Sequence, residues 1–241
     1  MSHPLLAFDT STETLSVALA WRADAGARLL ERTTEGGRAA SSALVPAAME
    51  LLRQAGLPLR ALQAIVFGNG PGSFTGLRTA CAVAQGLAFG ADLPVLPVET
   101  LMAIAEEAHE ISGATRVVAM LDARMDEVYW AAYVLEGGAW RRDRPIGLSR
   151  PEAVALPEGY ALAGNVFMAY GDRLPAGAQR TPALPTAAAM LRLAPALLAG
   201  GHAVPAAQAL PLYVRDKVAQ TTEERMALRL ARESASLEPR P

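Results

Sequence analysis

The segment that most constrains the fold is residues 68–78, which read Gly-Asn-Gly-Pro-Gly-Ser-Phe-Thr-Gly-Leu-Arg. An apolar run at residues 64–67 precedes it and an apolar stretch at residues 77–90 follows it, so the pattern predicts a strand, a glycine-rich loop and a helix. The four glycines permit positive φ angles and close approach of another backbone. Ser73 or Thr75 can cap the helix, whose free N–H groups attract anions. The pattern leaves two interpretations open: a loop that binds phosphate, and a tight turn with nothing bound.

The rest of the chain alternates between strand and helix patterns. Three predicted strands come first and form an antiparallel meander, and alternating helices and strands then favour a mixed sheet covered by helices. The predicted strands are residues 5–8, 15–21, 28–34, 64–67, 95–98, 116–121, 128–135 and 140–148; the helices are residues 41–55, 77–90, 100–111 and 186–198. Residues 150–185, rich in proline and glycine, are predicted to be irregular, and a polar tail follows Tyr213.

Composition narrows the class of protein. The 241 residues are 51% hydrophobic and carry a formal charge of −2, which excludes a disordered chain and gives no general attraction to nucleic acid. The single cysteine, Cys81, lies in an apolar helical stretch and is expected to be a buried, inert thiol in a reducing compartment. With no signal-peptide pattern and no long apolar run, we expect a soluble cytoplasmic protein that does not enter a membrane.

A weak internal repeat links the two halves of the chain. Asp9 and Asp122 each end a first predicted strand, and Glu13 and Asp126 each follow four residues later. Two such strand–turn–strand units predict a duplicated α/β fold like that of actin, Hsp70 and sugar kinases. We expect a first lobe at residues 1–103, with helices that face a partner, and a reduced second lobe with a C-terminal tail at residues 104–241.

The first of these turns resembles a phosphate loop. Asp9, Thr10 and Ser11 form a predicted vestigial phosphate site together with Gly70, Gly72 and Ser73, although an Asx turn without a ligand is the alternative. A P-loop is excluded because the only lysine is Lys217. The turn at residues 122–126 has no glycine, so the second half of a nucleotide site is missing. A free-standing ATPase or kinase stays open as the alternative function.

Metal and peptidase chemistry have little support. The three histidines, His3, His109 and His202, are not spaced to share one helix face. No nucleophile-elbow pattern is present. We therefore predict no catalytic residue, no metal site and no cofactor that this chain itself requires.

Two of the predicted helices, at residues 41–55 and 77–90, are apolar over more of their surface than one sheet can cover. Their small and apolar side chains suit a contact between helices, in this chain or with another one. The residues predicted to form a partner interface are Ala40, Leu44, Ala48, Leu51, Leu77, Ala80, Ala84 and Leu87.

Several segments resemble the TsaB family, also called YeaZ. The resemblance is strong over residues 5–133, weak over residues 135–209, and is seen again near the C-terminal end of the sequence. The most specific segment is the glycine-rich loop with Phe74, Thr75 and Gly76. The others are residues 7–12, 16–19, 84–88, 98–101, 121–129 and 211–215.

This resemblance implies an actin/Hsp70-like (ASKHA, ribonuclease H-like) fold and a non-catalytic subunit. In that family the two helices dock on TsaD, which transfers threonylcarbamoyl to the tRNA adenosine beside the anticodon. The implied partners also include the ATPase TsaE and, indirectly, a TsaC-type enzyme, and a homodimer is implied when TsaD is absent. The resemblance also allows ATP or ADP to bind at the contact with TsaD. It implies that tRNA is contacted mainly through the complex. Ala40 stands where relatives often carry histidine.

Overall fold

The computed structural model describes residues 3–23 and 26–215, so the predicted polar tail from Lys217 onward lies outside the described residues. The strands are β1 Leu5–Asp9, β2 Thr14–Ala23, β3 Gly26–Glu35, β4 Ala64–Gly70, β5 Val95–Glu99, β6 Arg116–Arg124, β7 Glu127–Glu136, β8 Ala139–Arg142, β9 Gly147–Ser149, β10 Ala161–Gly164 and β11 Arg180–Pro182. The α-helices are α1 Ala40–Ala55, α2 Phe74–Ala91, α3 Thr100–Ser112, α4 Phe167–Tyr170 and α5 Ala187–Ala199.

The first sheet has the strand order β3-β2-β1-β4-β5; its strands β1 and β4 are buried on both faces, whereas the edge strand β3 is mostly exposed. Side chains alternate along β1, so Leu6 and Phe8 contact the layer of α1 and α2. Leu5 and Ala7 point the other way and pack against α5. We call this sheet and its helices the first lobe. This cover on both sides explains why β1 and the first half of β4 read as continuous apolar runs.

The second sheet repeats the topology of the first. Its order is β8-β7-β6-β10-β11, with the first three strands antiparallel and the last two parallel, as in the first sheet. Strands β1 and β6 are therefore equivalent, and Asp9 and Asp122 occupy matching positions near their ends. The predicted duplicated α/β fold is confirmed. We call the second sheet and its cover the second lobe.

The second lobe is reduced in two places, since the described residues contain no α-helix between β9 and β10, where the first lobe has the 16-residue helix α1 between β3 and β4. Where the first lobe has the 18-residue helix α2, the second has the four-residue helix α4. Irregular chain covers the sheet instead, through the buried side chains of Val154, Tyr160 and Leu174. Helix α3 packs on the other face of this sheet through Leu101 and Ile104.

Two details of the second lobe differ from the sequence prediction. The single strand predicted at residues 140–148 is two short strands, β8 and β9, which both pair with β7. Asp143 to Pro145 separates them, because proline cannot donate to a ladder. The segment predicted to be irregular, residues 150–185, contains β10 and β11, whose three or four residues are too few to show a period. The lobe boundary at residue 103 stays a prediction.

No helix among residues 3–23 and 26–215 is long and apolar enough to cross a membrane.

Candidate functional site

The turn after β1 is closed upon itself. The Asp9 carboxylate accepts hydrogen bonds from the Ser11 N–H at 2.9 Å and from the Ser11 hydroxyl at 2.7 Å. Asp9 is 1% exposed, and burial raises its pKa to about 6, although the bonds from Ser11 oppose that rise. Its second carboxylate oxygen has no hydrogen-bond partner among the described residues. The geometry is an Asx turn that points into protein rather than toward a ligand.

The glycine-rich loop lies directly against this turn. The Thr10 hydroxyl donates to the Gly76 carbonyl oxygen at 2.7 Å, and the Ser73 N–H donates to the Ser11 carbonyl oxygen at 2.8 Å. A Cβ atom at Gly76 would stand 1.7 Å from the Thr10 carbonyl oxygen. Glycine is therefore required here for contact with the chain's own backbone. Of the two interpretations left open by the sequence, the tight turn explains this position.

A cavity of about 340 Å³ separates the two lobes at the ends of β1 and β6. Three of the six residues predicted for a phosphate site line it, namely Ser11, Gly72 and Ser73. Asp9, Thr10 and Gly70 are buried behind that wall. The structure thus brings the six residues together but leaves the predicted carboxylate and the Thr10 hydroxyl without access to the cavity.

The charged groups around this cavity already have partners. Arg124 forms ion pairs with Glu13 of the first lobe and with Asp122. Arg215 pairs with Glu127 at 2.9 Å. The turn between β6 and β7 has positive φ at Arg124, Met125 and Asp126, an uncommon conformation for residues other than glycine. Because the cations are neutralised from within the chain, the cavity offers little charge to a polyphosphate.

Residues 209–215 cross from one lobe to the other, and we call them the strap. The Leu212 N–H donates to the Asn69 carbonyl oxygen at 2.6 Å, which anchors the strap beside the glycine-rich loop. A Cβ atom at Gly70 would stand 2.5 Å from the Leu212 carbonyl oxygen, so Gly70 gives the strap room. Gly70 was predicted to contact phosphate. The structure shows this contact within the chain, and the role of Gly70 in a phosphate site stays a prediction.

The predicted interface residues require a correction at the level of single side chains. Seven of the eight are buried inside the chain, and only Leu87 is partly exposed. Leu44, Ala48 and Ala84 pack in the layer between α1, α2 and the first sheet. Apolar periodicity marked the face of each helix that contacts its own sheet, which is the commoner reason for such a pattern.

Other residues form the outer surface of the same two helices. Val45 and Met49 are exposed on α1, and Phe89 is 84% exposed on α2. A shallow groove between the helices is lined by Ser41, Phe74, Thr75, Arg78, Thr79, Ala82 and Val83. We call these exposed residues and this groove the α1–α2 surface. The sequence prediction missed them because single exposed apolar residues look unremarkable, although Val45 and Met49 are spaced by four and share one helix face.

The described residues contain no cluster of three or more His, Cys, Asp or Glu that could hold a metal ion. His109 is instead in hydrogen-bond contact with the Ala114 carbonyl oxygen at 3.0 Å, at the end of α3. Burial raises the pKa of the Cys81 thiol, whose Sγ donates to the Ala209 carbonyl oxygen.

Comparison with known proteins supplies the family. A family model described as "TsaD: tRNA N6-adenosine threonylcarbamoyltransferase" matches residues 32–163. "tRNA threonylcarbamoyladenosine biosynthesis protein TsaB" of Escherichia coli (strain K12) is 37% identical over 225 residues, which are 89% of this chain and 96% of the relative. The chain belongs to the TsaB family. The protein of the same name from Haemophilus influenzae is 38% identical over 89% of this chain and 94% of its own length.

A solved structure agrees with this assignment. "YeaZ from Pseudomonas aeruginosa" superposes with a TM-score of 0.81 at 43% identity and covers 89% of this chain and 100% of that chain. A second structure with the same coverage and TM-score is named an uncharacterized protein with similarity to the peptidase YeaZ. The TsaB (YeaZ) resemblance predicted from the sequence is confirmed.

Proposed function

We propose that this chain is a non-catalytic subunit in the biosynthesis of tRNA threonylcarbamoyladenosine, which docks on TsaD and activates it. The observation that carries the proposal is the 37–38% identity to TsaB proteins of that biosynthesis over 89% of the chain. On this proposal TsaD transfers threonylcarbamoyl to the adenosine beside the anticodon, and the present chain performs no bond chemistry.

The α1–α2 surface is the proposed docking site. Val45, Met49 and Phe89 place three apolar side chains outward on two adjacent helices. Ala82 and Gly86 on the exposed side of α2 carry almost no side chain, which would let a partner helix approach closely. Burial of such a surface would contribute about 25 cal/mol for each Å² of apolar area removed from water.

The closed Asp9 turn supports an accessory role. A carboxylate that orients metal-bound water has to reach the substrate, whereas Asp9 is 1% exposed and bonded to Ser11. These features fit a fold that keeps the scaffold of a nucleotide-binding lobe for protein contacts.

The remaining partners follow from the same proposal. TsaE joins the pair as an ATPase, and a TsaC-type enzyme supplies the activated threonylcarbamoyl group. ATP or ADP would bind between this chain and TsaD rather than inside the chain, and tRNA would be met mainly through the complex. Without TsaD, two copies of the chain would pair through the α1–α2 surface in the cytoplasm.

The test is association with the cognate TsaD, measured by co-expression, size-exclusion chromatography and calorimetry. We expect the wild-type chain to co-elute with TsaD, and Val45→Glu or Met49→Glu to weaken association at least tenfold without changing the melting temperature. Ile111→Glu, at another exposed apolar position near the end of α3, is the matched control and should bind normally. Failure of two folded proteins to co-elute would refute docking. Undiminished tRNA modification by TsaD, TsaE and the TsaC-type enzyme alone would refute activation.

A further inference from the structure

The strap is fixed to the first lobe at helix α2. Its Ala209 carbonyl oxygen accepts a hydrogen bond from the Gln85 side-chain amide at 3.0 Å. Further along, the Tyr213 ring lies 5.2 Å from the Phe74 ring, centroid to centroid. The Arg78 Nε donates to the Tyr213 hydroxyl at 3.1 Å, and the Arg78 guanidinium lies 3.9 Å from the Phe74 ring centroid. The strap therefore holds both the middle and the first turn of α2.

The same strap ends on the second lobe. The Arg215 guanidinium donates to the Ala123 carbonyl oxygen at 3.0 Å and pairs with Glu127 at 2.9 Å. These groups flank the turn between β6 and β7, where three successive residues have positive φ. Such a conformation is costly for residues with side chains, so surrounding contacts have to maintain it. Only 14% of the Arg215 side chain is exposed, which strengthens its ion pair relative to one at the surface.

Phe74 joins the strap to the α1–α2 surface. Its side chain lines the cavity between the lobes and also lines the groove between α1 and α2. A shift of the second lobe would pull on Arg215, and through Tyr213 it would move the Phe74 ring.

We propose that residues 209–215 hold the two lobes closed and, by fixing Phe74, set the shape of the groove that a partner helix enters. The arrangement of the lobes is then coupled to partner affinity, which rests on the docking proposed above. A coupling of this kind typically changes affinity by 5- to 150-fold. The strap is a positioning element, because its Tyr213 and Arg215 side chains lie outside the groove itself.

The experiment uses the full chain with Arg215→Gln, which removes the charge, and Tyr213→Ala, which removes the ring contact. Hydrogen exchange of the isolated chain is followed at residues 74–79 and 123–127, and affinity for TsaD is measured by calorimetry. For Arg215→Gln we expect exchange at least fivefold faster in both segments and binding about tenfold weaker. Tyr213→Ala should accelerate exchange at residues 74–79 and weaken binding similarly. Arg144→Gln, at an exposed position of the second lobe, is the control and should change neither readout.

Two outcomes would overturn the proposal. One is faster exchange confined to residues 123–127 with unchanged affinity, which would make Arg215 a local support of one turn. The other is no change in either segment for both variants. If the wild-type chain fails to bind TsaD, the docking proposal fails, while the exchange at residues 74–79 still decides whether the strap links the lobes.

Discussion

The hydroxyl of Thr10 donates to the carbonyl oxygen of Gly76 at 2.7 Å, and both groups are buried. This bond ties the turn after β1 to the first turn of α2, across 66 positions of sequence. It explains a glycine-rich loop that would otherwise suggest phosphate binding, because the group approached closely is the chain's own backbone.

Gly76→Ala should destabilise the protein severely. The new Cβ atom would meet the Thr10 carbonyl oxygen at 1.7 Å, and backbone on both sides cannot yield cheaply. We expect a loss of about 3 kcal/mol or more in the free energy of unfolding, measured by urea denaturation. Gly86→Ala is the matched control in the same helix, since nothing lies within 4 Å of its added Cβ. It should stabilise by about 0.5–1 kcal/mol, and equal effects of the two variants would contradict this explanation.

Buried and exposed positions of α1 should respond differently to the same substitution. Leu44 is fully buried, so Leu44→Glu would leave a carboxylate without a partner in the core and unfold the chain. Its neighbour Val45 is exposed, so Val45→Glu should leave the melting temperature within about 2 °C of wild type. Circular dichroism melts of both variants distinguish the two faces. A folded Leu44→Glu monomer would show that the contact of α1 with the sheet is misassigned.

The buried Asp9 carboxyl should make stability fall as pH rises from about 4 to about 6. Its pKa is about 6 in the folded protein and near the ordinary value of 3.8 in the unfolded chain, so the folded state binds the proton more tightly. Ionising it costs the folded state on the order of 2–3 kcal/mol, an effect complete above pH 6. Urea denaturation at pH 4 and pH 7.5 should show this loss for wild type relative to Asp9→Asn. Parallel pH profiles for the two proteins would exclude a raised pKa.

The isolated chain should bind Mg-ATP weakly and should not hydrolyse it. Arg124 and Arg215, the two arginines that line the cavity, are paired with carboxylates, and Asp9 has no access to it. Calorimetry should give a dissociation constant no tighter than about 1 mM, or about −4 kcal/mol. Tight binding with turnover that Asp9→Ala abolishes would instead establish the ATPase or kinase alternative.

The sequence predicted the elements of the first lobe closely, because its long strands and helices carry strong periodic patterns. Strand β1 and helix α1 begin at or near the predicted residues. The second lobe was harder to predict, since β10 has four residues and its sequence, Ala-Leu-Ala-Gly, fits a helix or a strand equally well. Pairing with β6 on one side and β11 on the other decides its conformation.

The candidate site was predicted in part. The chemistry of Asp9, Thr10 and Ser11 was visible in the sequence, but the direction in which they point depends on packing across the chain. The buried face of α1 was mistaken for its outer face, because periodicity identifies an apolar stripe without saying what covers it. The role of the strap depends on contacts such as Arg78 with Tyr213, which are 135 residues apart.

The irregular chain that covers the second sheet has a practical consequence for anyone who modifies this protein. Because Val154, Tyr160 and Leu174 fill the place of a missing helix, residues 150–174 are a poor position for a tag or a fluorescent insertion, despite their loop-like composition. The Gly137–Gly138 hairpin between β7 and β8 is exposed and does not cover the sheet, so it is the better position for an insertion.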